Sequence, residues 1–405
     1  MTRLAGLPQR RILLADCDQF FVQCARLADP DGAGREPLLL VGGSASHRGV
    51  VTSASYETRA FGVRSGMPTA RALRLCPHAV VVPVPRGACL EKSRQVRHAL
   101  QHFSPVVESA SIDEAYVDMS GTEALYHHEP LAHTASRMQA AVLAATSITV
   151  SIGGGTSRVI AKLAVGRAKP AGVRIIQPGD EIEFMRGLDL SAIPGVGPVF
   201  AEQLGRHGLR TVEHALALEE TTLEHMLGAS RGRWLYRCAR GIDGGEITPD
   251  RDARSMSREE TFARDIADDD ALETELLALT VRLGADLRGH ALRARTVTVK
   301  LRDHDFRTRQ ASRTVDPPIH ADRALFTIAR ELLHRLRSER RVAARLIGIA
   351  ASGLRGTGHA TQMPILEDAT SVETERDRQL ARAADAARSR FGHRAVRPGR
   401  LLDRQ

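Results

Sequence analysis

The chain has 405 residues, 42% hydrophobic and 26% charged, with a formal net charge of +9. That length exceeds one ordinary core and predicts two to four domains, and no apolar run approaches the length of a membrane-spanning helix, so a membrane protein is excluded. The excess of positive charge suits a polyanionic partner.

In chain order, residues 10–16 read as a buried strand ending in Asp16, preceded by too short an apolar stretch for a signal peptide, which places the protein in the cytoplasm. Leu38-Leu39-Leu40-Val41 before Gly42-Gly43 reads as a strand entering a turn. Residues 91–103 have helical character. Val106-Val107 and Ala115-Tyr116-Val117 are short strands flanking Ser111-Ile112-Asp113-Glu114, and residues 148–152 form another strand before Gly153-Gly154-Gly155. Glycine and proline then cluster in Ile193-Pro194-Gly195-Val196-Gly197-Pro198, a helix, tight hairpin, helix pattern, and residues 241–254 read as a linker. Beyond it the order is helix (271–287), strand, strand, helix (324–337), strand. The middle strand alternates, with Val297, Val299 and Leu301 on one side and Thr296, Thr298, Lys300 and Arg302 on the other. The last forty residues read as a polar segment and one helix, with Leu380, Ala384, Ala387 and Phe391 as a weak apolar stripe. The class is α+β and multidomain.

Residues 281–360 hold seventeen Arg and Lys against seven Asp and Glu, an electrostatic footprint for nucleic acid. The five cysteines, at 17, 24, 76, 89 and 238, contain no Cys-x-x-Cys pair, so neither a disulfide framework nor a zinc site is expected. His127-His128 reads as surface.

Two acidic clusters carry the chemistry. Asp16-Cys17-Asp18-Gln19-Phe20-Phe21 sits at a strand end and Asp113-Glu114 between short strands. Two-metal nucleotidyl transfer needs several carboxylates converging from different strands on hard cations such as Mg²⁺. Taken singly, the first is equally a helix cap and the second a solvated turn. Ser53, Tyr56 and Arg59 bring a hydroxyl, a phenol and a guanidinium together, able to grip a triphosphate, although an amphipathic helix with a snorkelling arginine has the same pattern. Lys162 and Lys169 are as open when taken alone.

In this order the segments resemble the Y-family translesion DNA polymerases, most closely the DinB branch, over nearly the whole chain. The matching pieces are Asp-x-Asp-x-Phe-Phe at 16–21, Tyr-Glu-x-Arg-x-Phe-Gly-Val-Arg-x-Gly-Met-Pro at 56–68, Ser-Ile-Asp-Glu-Ala-Tyr-Val-Asp at 111–118, Ala-Lys at 161–162, Lys-Pro at 169–170 and Ile-Pro-Gly-Val-Gly at 193–197. The resemblance implies a right-hand polymerase. Its ferredoxin-like palm would take 1–18 and 87–177, small fingers 19–86, a helix-hairpin-helix thumb 178–243, a linker 244–257, an α/β little finger 258–356 and a tail 357–405.

It also implies roles. Asp16, Asp113 and Glu114, with the backbone carbonyl of Cys17, would hold two Mg²⁺ ions, the Cys17 thiol being a bystander. Ser53, Tyr56, Arg59 and Lys169 would bind the triphosphate, with backbone amides near Phe20. Phe21 falls at the steric gate against ribose, and Val50, Thr52 and Gly66 would roof the nascent base pair. Gly195 and Gly197 would let hairpin amides approach a DNA phosphate. Lys300, Arg302, Arg307, Arg309 and Arg313 would grip the duplex, although each arginine alone also reads as solvated surface. Gln362, Met363, Ile365 and Leu366 sit where relatives carry a sliding-clamp peptide, here without its usual aromatic end.

Primer-template DNA, dNTPs and a clamp are thus the implied partners of a monomer working at the nucleoid. With no stretch up to about residue 355 left over for a proofreading exonuclease, low fidelity is expected. Ala25 stands where relatives often carry Glu, and Ser157-Arg158 replaces a common Asn-Lys. A non-catalytic adaptor would have lost the metal carboxylates, and a palm-type nucleotide cyclase would need neither the hairpin nor the basic C-terminal domain.

Overall fold

The structure, a computed structural model, describes residues 10–249, 252–357, 372–392 and 394–402. It divides into two units, Met1–Ala45 with Gly49–Arg251, and Asp252–Gln405 with Ser46–Arg48. The clamp-like residues Gln362, Met363, Ile365 and Leu366 lie outside the described residues.

The first unit runs β1 (Ile12–Cys17), α1 (Phe20–Ala28), β2 (Leu39–Gly42), β3 (Val51–Ala54), α2 (Tyr56–Ala60), α3 (Thr69–Leu75), β4 (Val80–Val82), α4 (Arg86–Gln101), β5 (Val107–Ser109), β6 (Glu114–Asp118), α5 (Leu131–Thr146), β7 (Val150–Gly155), α6 (Arg158–Ala168) and β8 (Val173–Ile175). Five further helices follow, α7 (Glu181–Arg186), α8 (Pro198–Arg206), α9 (Val212–Leu216), α10 (Glu220–Leu227) and α11 (Ala229–Ala239). The central sheet has the order β5-β6-β1-β7-β8, and a smaller sheet the order β3-β2-β4.

β1 is buried along its whole length because it is a central strand covered on both faces. Its alternate residues divide the core. Leu13, Ala15 and Cys17 pack with Leu100 of α4 and Met138 and Val142 of α5, while Ile12 and Leu14 pack with Ala161 and Val165 of α6.

The glycines expected to follow the fourth palm strand are in fact its last three residues. A side chain at Gly153 would collide with the Val165 nitrogen and the Ala161 oxygen, so α6 lies backbone to backbone on β7. That close approach brings the middle of α6 over the end of β1.

Residues 241–248, read as linker, are strapped to the first unit. Asp243 accepts from the Val159 amide at 2.8 Å, Ser157 donates to Gly241 O at 2.7 Å and Arg10 donates to Gly245 O at 2.8 Å. Arg158 pairs in bidentate fashion with buried Glu108 at 2.7 and 2.9 Å, and Glu108 also accepts from the Thr248 amide at 2.9 Å. The departure at Ser157-Arg158 therefore serves this strap.

The second unit contains β9 (Ser255–Ile266), α12 (Asp269–Gly289), β10 (Leu292–Asp303), β11 (Thr308–Ile319), α13 (Asp322–Glu339), β12 (Ala344–Ser352), β13 (Arg355–Gly356) and α14 (Glu375–Phe391). Its sheet has the order β11-β10-β12-β9, with β13 pairing β10. Val297, Val299 and Leu301 are fully buried, in a core with Leu276 and Leu283 of α12 and Ile328 and Leu332 of α13.

β9, absent from the sequence reading, begins inside the segment assigned to the linker. It is an edge strand whose only fully buried apolar side chain is Phe262, so no run of apolar alternation marks it. The stripe read on α14 is likewise not its packed face, since Leu380 and Phe391 are exposed. The helix is held instead by charge. Asp385 takes Arg288 at 2.5 Å, and Glu373, just before α14, accepts from the His320 and Ala321 amides at 2.7 and 2.6 Å. Among the described residues no helix is long and apolar enough to cross a membrane.

Candidate active site

The acidic clusters meet at the end of β1. Asp16 lies directly across from Glu114 of β6, and Asp113 is fixed just ahead by its carbonyl, which accepts from the Cys17 amide at 2.9 Å. Like charges directly opposite on neighbouring strands repel, and here two ammonium groups offset them. Lys162, carried over β1 by α6, contacts Asp16 Oδ2 at 3.1 Å and hydrogen-bonds Glu114, and Lys169 Nζ reaches Asp16 Oδ1 at 2.6 Å. Burial works against the Lys162 charge, but Glu114 and Asp16 outweigh it and hold its pKa above the usual lysine value.

Asp113 accepts from Ser111 Oγ at 2.5 Å. No three ligating side chains converge among the described residues. The donors nonetheless fit a hard divalent cation: the side-chain ligands are carboxylate oxygens, and two of them already hold positive charge. Burial, then the charges of Asp113 and Asp16, push the Cys17 thiol well above its usual range, so it stays protonated in the core.

Asp18, quoted in the sequence without a role, organises the neighbouring wall. It is 1% exposed and accepts from Tyr56 Oη at 3.0 Å, Ser151 Oγ at 2.8 Å and the Ala171 amide at 2.9 Å. The signal that could have found it is its spacing of two from Asp16, which aims both carboxylates to one side of an extended chain. Burial and then Asp18 raise the Tyr56 pKa, so the phenol keeps its proton and donates to Asp18. The Tyr56 amide donates to Gln19 Oε1 at 2.9 Å. Arg59 stacks on the Tyr56 ring, with Cζ 4.8 Å from its centroid, and donates through Nε to Ala54 O at 3.0 Å. Ser53, on β3, is buried nearby in sequence.

Phe20 is buried in the core, whereas Phe21 is half-buried, its ring 5.4 Å from that of Phe20 and tilted by 74°. Val50 is 49% exposed, and a side chain at Gly66 would meet open space. Ala25 is buried in α1.

The two hairpin glycines differ. Gly195 has φ +104° and a side chain there would press against Trp234, so glycine is required by the fold, whereas Gly197 faces open space.

The register sorts the residues of the basic strands by side. In the register of β10 and β11, Leu301 pairs with Arg309, Val299 with Ala311 and Val297 with Arg313, so both arginines project to the side covered by helices. Arg309 is committed to the fully buried Asp303 at 3.0 Å and to the carbonyl of Leu336, and Arg313 pairs with Glu331 of α13 at 2.5 Å. Either would have to give up these partners to meet a phosphate. The open side carries Thr296, Thr298, Lys300 and Arg302 opposite Thr314, Ser312, Gln310 and Thr308. There Lys300 pairs with Glu259 and Arg302 donates to Thr308 Oγ1 at 2.9 Å. Arg307, on the exposed turn between the strands, has no ion-pair partner for its guanidinium among the described residues.

With this geometry in hand, known proteins place the fold. The chain superimposes on a Y-family DNA polymerase chimera with TM-score 0.77 at 23% identity, covering 85% of this chain and 99% of that one. An insertion ternary complex of Dbh DNA polymerase matches with TM-score 0.58 at 23% identity over 84% of this chain. The fold is that of a right-hand polymerase with a ferredoxin-like palm, small fingers, a helix-hairpin-helix thumb and an α/β little finger.

The sequence profile of the impB/mucB/samB family matches residues 15–166, and that of its C-terminal domain residues 253–364. DNA polymerase IV 1 of Mesorhizobium japonicum is 37% identical over 99% of this chain and 90% of its own length. DNA polymerase IV of Caulobacter vibrioides is 35% identical over 96% of this chain and 93% of its own. The chain belongs to the Y family of translesion DNA polymerases, in its DinB-like branch, a family that depends on divalent metal.

Proposed function

We propose that the chain extends a primer 3′-hydroxyl with deoxynucleotides, on undamaged and lesion-bearing templates, using two Mg²⁺ ions held by Asp16, Asp113, Glu114 and the Cys17 carbonyl. The observation that carries this reading is the cross-strand pair Asp16 and Glu114 with cations drawn onto both. Bound there, the metal supplies charge neutralisation at the attacking and leaving oxygens of an in-line displacement.

The chain's own residues do the rest. Asp16 and Glu114 are fixed by strand pairing, so little reorganisation is needed to present their oxygens, and Asp113 joins them by rotating off Ser111. Arg59, steadied by the Tyr56 ring and the Ala54 carbonyl, offers a guanidinium edge to the triphosphate. Ser53, Tyr56 and Lys169 line the same side. Tyr56 holds its proton in a hydrogen bond to Asp18, so its hydroxyl must exchange Asp18 for a phosphate oxygen to grip the triphosphate. Phe21 packs against the sugar, and the exposed Val50 with Thr52 and Gly66 leaves room above the base pair for altered bases.

In domain terms, the β1-β6-β7 sheet with its helices is the palm, the β2-β3-β4 sheet with α2 and α3 the fingers, α7 to α11 the thumb and the second unit the little finger. The hairpin at 193–198 presents its amides, through the open space at Gly197, to a DNA phosphate. Primer extension with and without Mg²⁺, on undamaged and lesion-bearing templates, tests the reading; no metal-dependent extension would overturn it. The clamp peptide at 362–366 rests on sequence. Replacing Gln362, Ile365 and Leu366 with Ala should abolish clamp-stimulated synthesis without lowering the unassisted rate.

A further inference from the structure

We infer that Lys162 is the resident counter-ion of the carboxylate site: its ammonium bridges Asp16 and Glu114 in the metal-free protein and gives both up when a divalent cation enters. The inference rests on the reading that Asp16, Asp113 and Glu114 form the metal site.

Strand pairing sets Asp16 and Glu114 directly opposite each other, so the sheet cannot form without forcing two like charges together. The two side chains are only 11% and 21% exposed, and solvent screens the repulsion incompletely. A cation beside them therefore stabilises the fold, including before the chain meets metal or nucleotide. Lys162 supplies it to both carboxylates.

Its placement is built into the backbone. The absence of a side chain at Gly153 lets α6 rest on β7, and Lys162 stands one turn ahead of Val165, the residue whose backbone would otherwise collide. Lys169 differs. It caps the C-terminus of α6 and contacts Asp16, so it neutralises one carboxylate without bridging the two. Removing Lys162 should accordingly trade stability of the metal-free protein for metal affinity, whereas a residue that merely shaped the pocket would lose affinity when removed.

The test uses the full chain without DNA or nucleotide. Lys162→Met should lower the melting temperature of the metal-free protein and enlarge the rise that Mn²⁺ produces. Mn²⁺ affinity, read from the free-ion signal in electron paramagnetic resonance, should increase at least about threefold. Lys162→Arg, which keeps the charge, should show no such increase. Equal or weaker Mn²⁺ binding by a folded Lys162→Met protein would overturn the inference. Should that variant fail to fold, wild-type protein labelled with ¹³C-lysine decides. The Lys162 signal, assigned by its loss in Lys162→Arg, should move as Mg²⁺ is titrated, and an unmoved signal would refute displacement. Mn²⁺ binding that survives Asp113→Ala with Glu114→Ala would instead place the metal elsewhere, overturning the site reading and this inference with it.

Discussion

Two regions of the chain set cations against carboxylates, the end of β1 and the β10–β11 hairpin, and they differ in where the partners come from. At β1 the acids arrive from two neighbouring strands and the cations from α6 and the segment after it, so strand geometry forces the like charges together and the lysines answer. In and beside the hairpin three arginines meet acids of the second unit. Arg309 and Arg340 close on Asp303, and Arg313 on Glu331. The first arrangement leaves oxygens that a stronger cation can claim. The second uses its charge to build the fold. A run of basic residues in a sequence is therefore not yet a basic surface.

The most severe way to break this contrast is Asp113→Ala with Glu114→Ala. If these acids serve the metals, nucleotide addition should fall by at least about 1000-fold, roughly 4 kcal/mol, while primer-template binding stays within a few fold. Primer extension and binding titrations on one preparation check both, and substantial extension by the double variant would remove the acids from the chemistry.

The corresponding change in the hairpin should act on stability. Arg309→Ala leaves Asp303, fully buried, with Arg340 as its remaining ion-pair partner, at a cost of about 3 kcal/mol, the lower end for a broken buried pair because Arg340 stays at 2.7 Å. Hydrogen exchange of the β10 and β11 amides in the full chain reads this locally. Unchanged protection, combined with weakened DNA binding, would restore Arg309 to the interface.

What could be read from the sequence follows the same division. The carboxylate site was legible because each piece is short, lies at a strand end and adjoins an apolar run that fixes its place, as Ile12 to Ala15 precedes Asp16 and Ala115 to Val117 follows Glu114. Asp18 was visible but mute, since nothing in a sequence says that its oxygens are taken by Tyr56, Ser151 and Ala171. The strap at 241–248 looked like a linker because backbone atoms accept or donate most of its bonds, as at Gly241, Gly245 and Thr248. The sides of β11 were decidable in principle. Ala311, Val315 and Ile319 recur at the alternation of Arg309 and Arg313, and they mark the helix-covered face. Three apolar residues among so many polar ones made the signal weak.

A smaller effect is expected at Phe21, which tests whether the half-buried ring is packing or selects the sugar. A flat ring against C2′ leaves no volume for a hydroxyl, so a ribonucleotide must clash or tilt its triphosphate off line. Phe21→Ala should raise relative ribonucleotide incorporation at least about tenfold, roughly 1.4 kcal/mol of lost discrimination, and slow deoxynucleotide addition much less. Steady-state kinetics with matched dNTP and rNTP pairs decide, and an unchanged ratio of specificity constants would leave Phe21 as packing.

The smallest effect sharpens the comparison inside the hairpin itself. Arg307 stands two residues from Arg309 in sequence but on the exposed turn, its backbone amide tied to Asp305 at 3.1 Å and its guanidinium in solvent. A side chain of this kind can neutralise a phosphate without giving up a partner, so its contribution appears as counterion release. Arg307→Ala should therefore weaken duplex binding only modestly at low salt, lower the slope of log affinity against log salt by about one unit, and leave β10 and β11 exchange untouched. Arg309→Ala should show the opposite pattern, altered exchange with an unaltered slope. Titrations across a range of salt with both variants separate the two roles. If both slopes fall alike, the register of β11 does not decide which arginines meet DNA, and the stretch acts as the diffuse basic surface that its composition suggests.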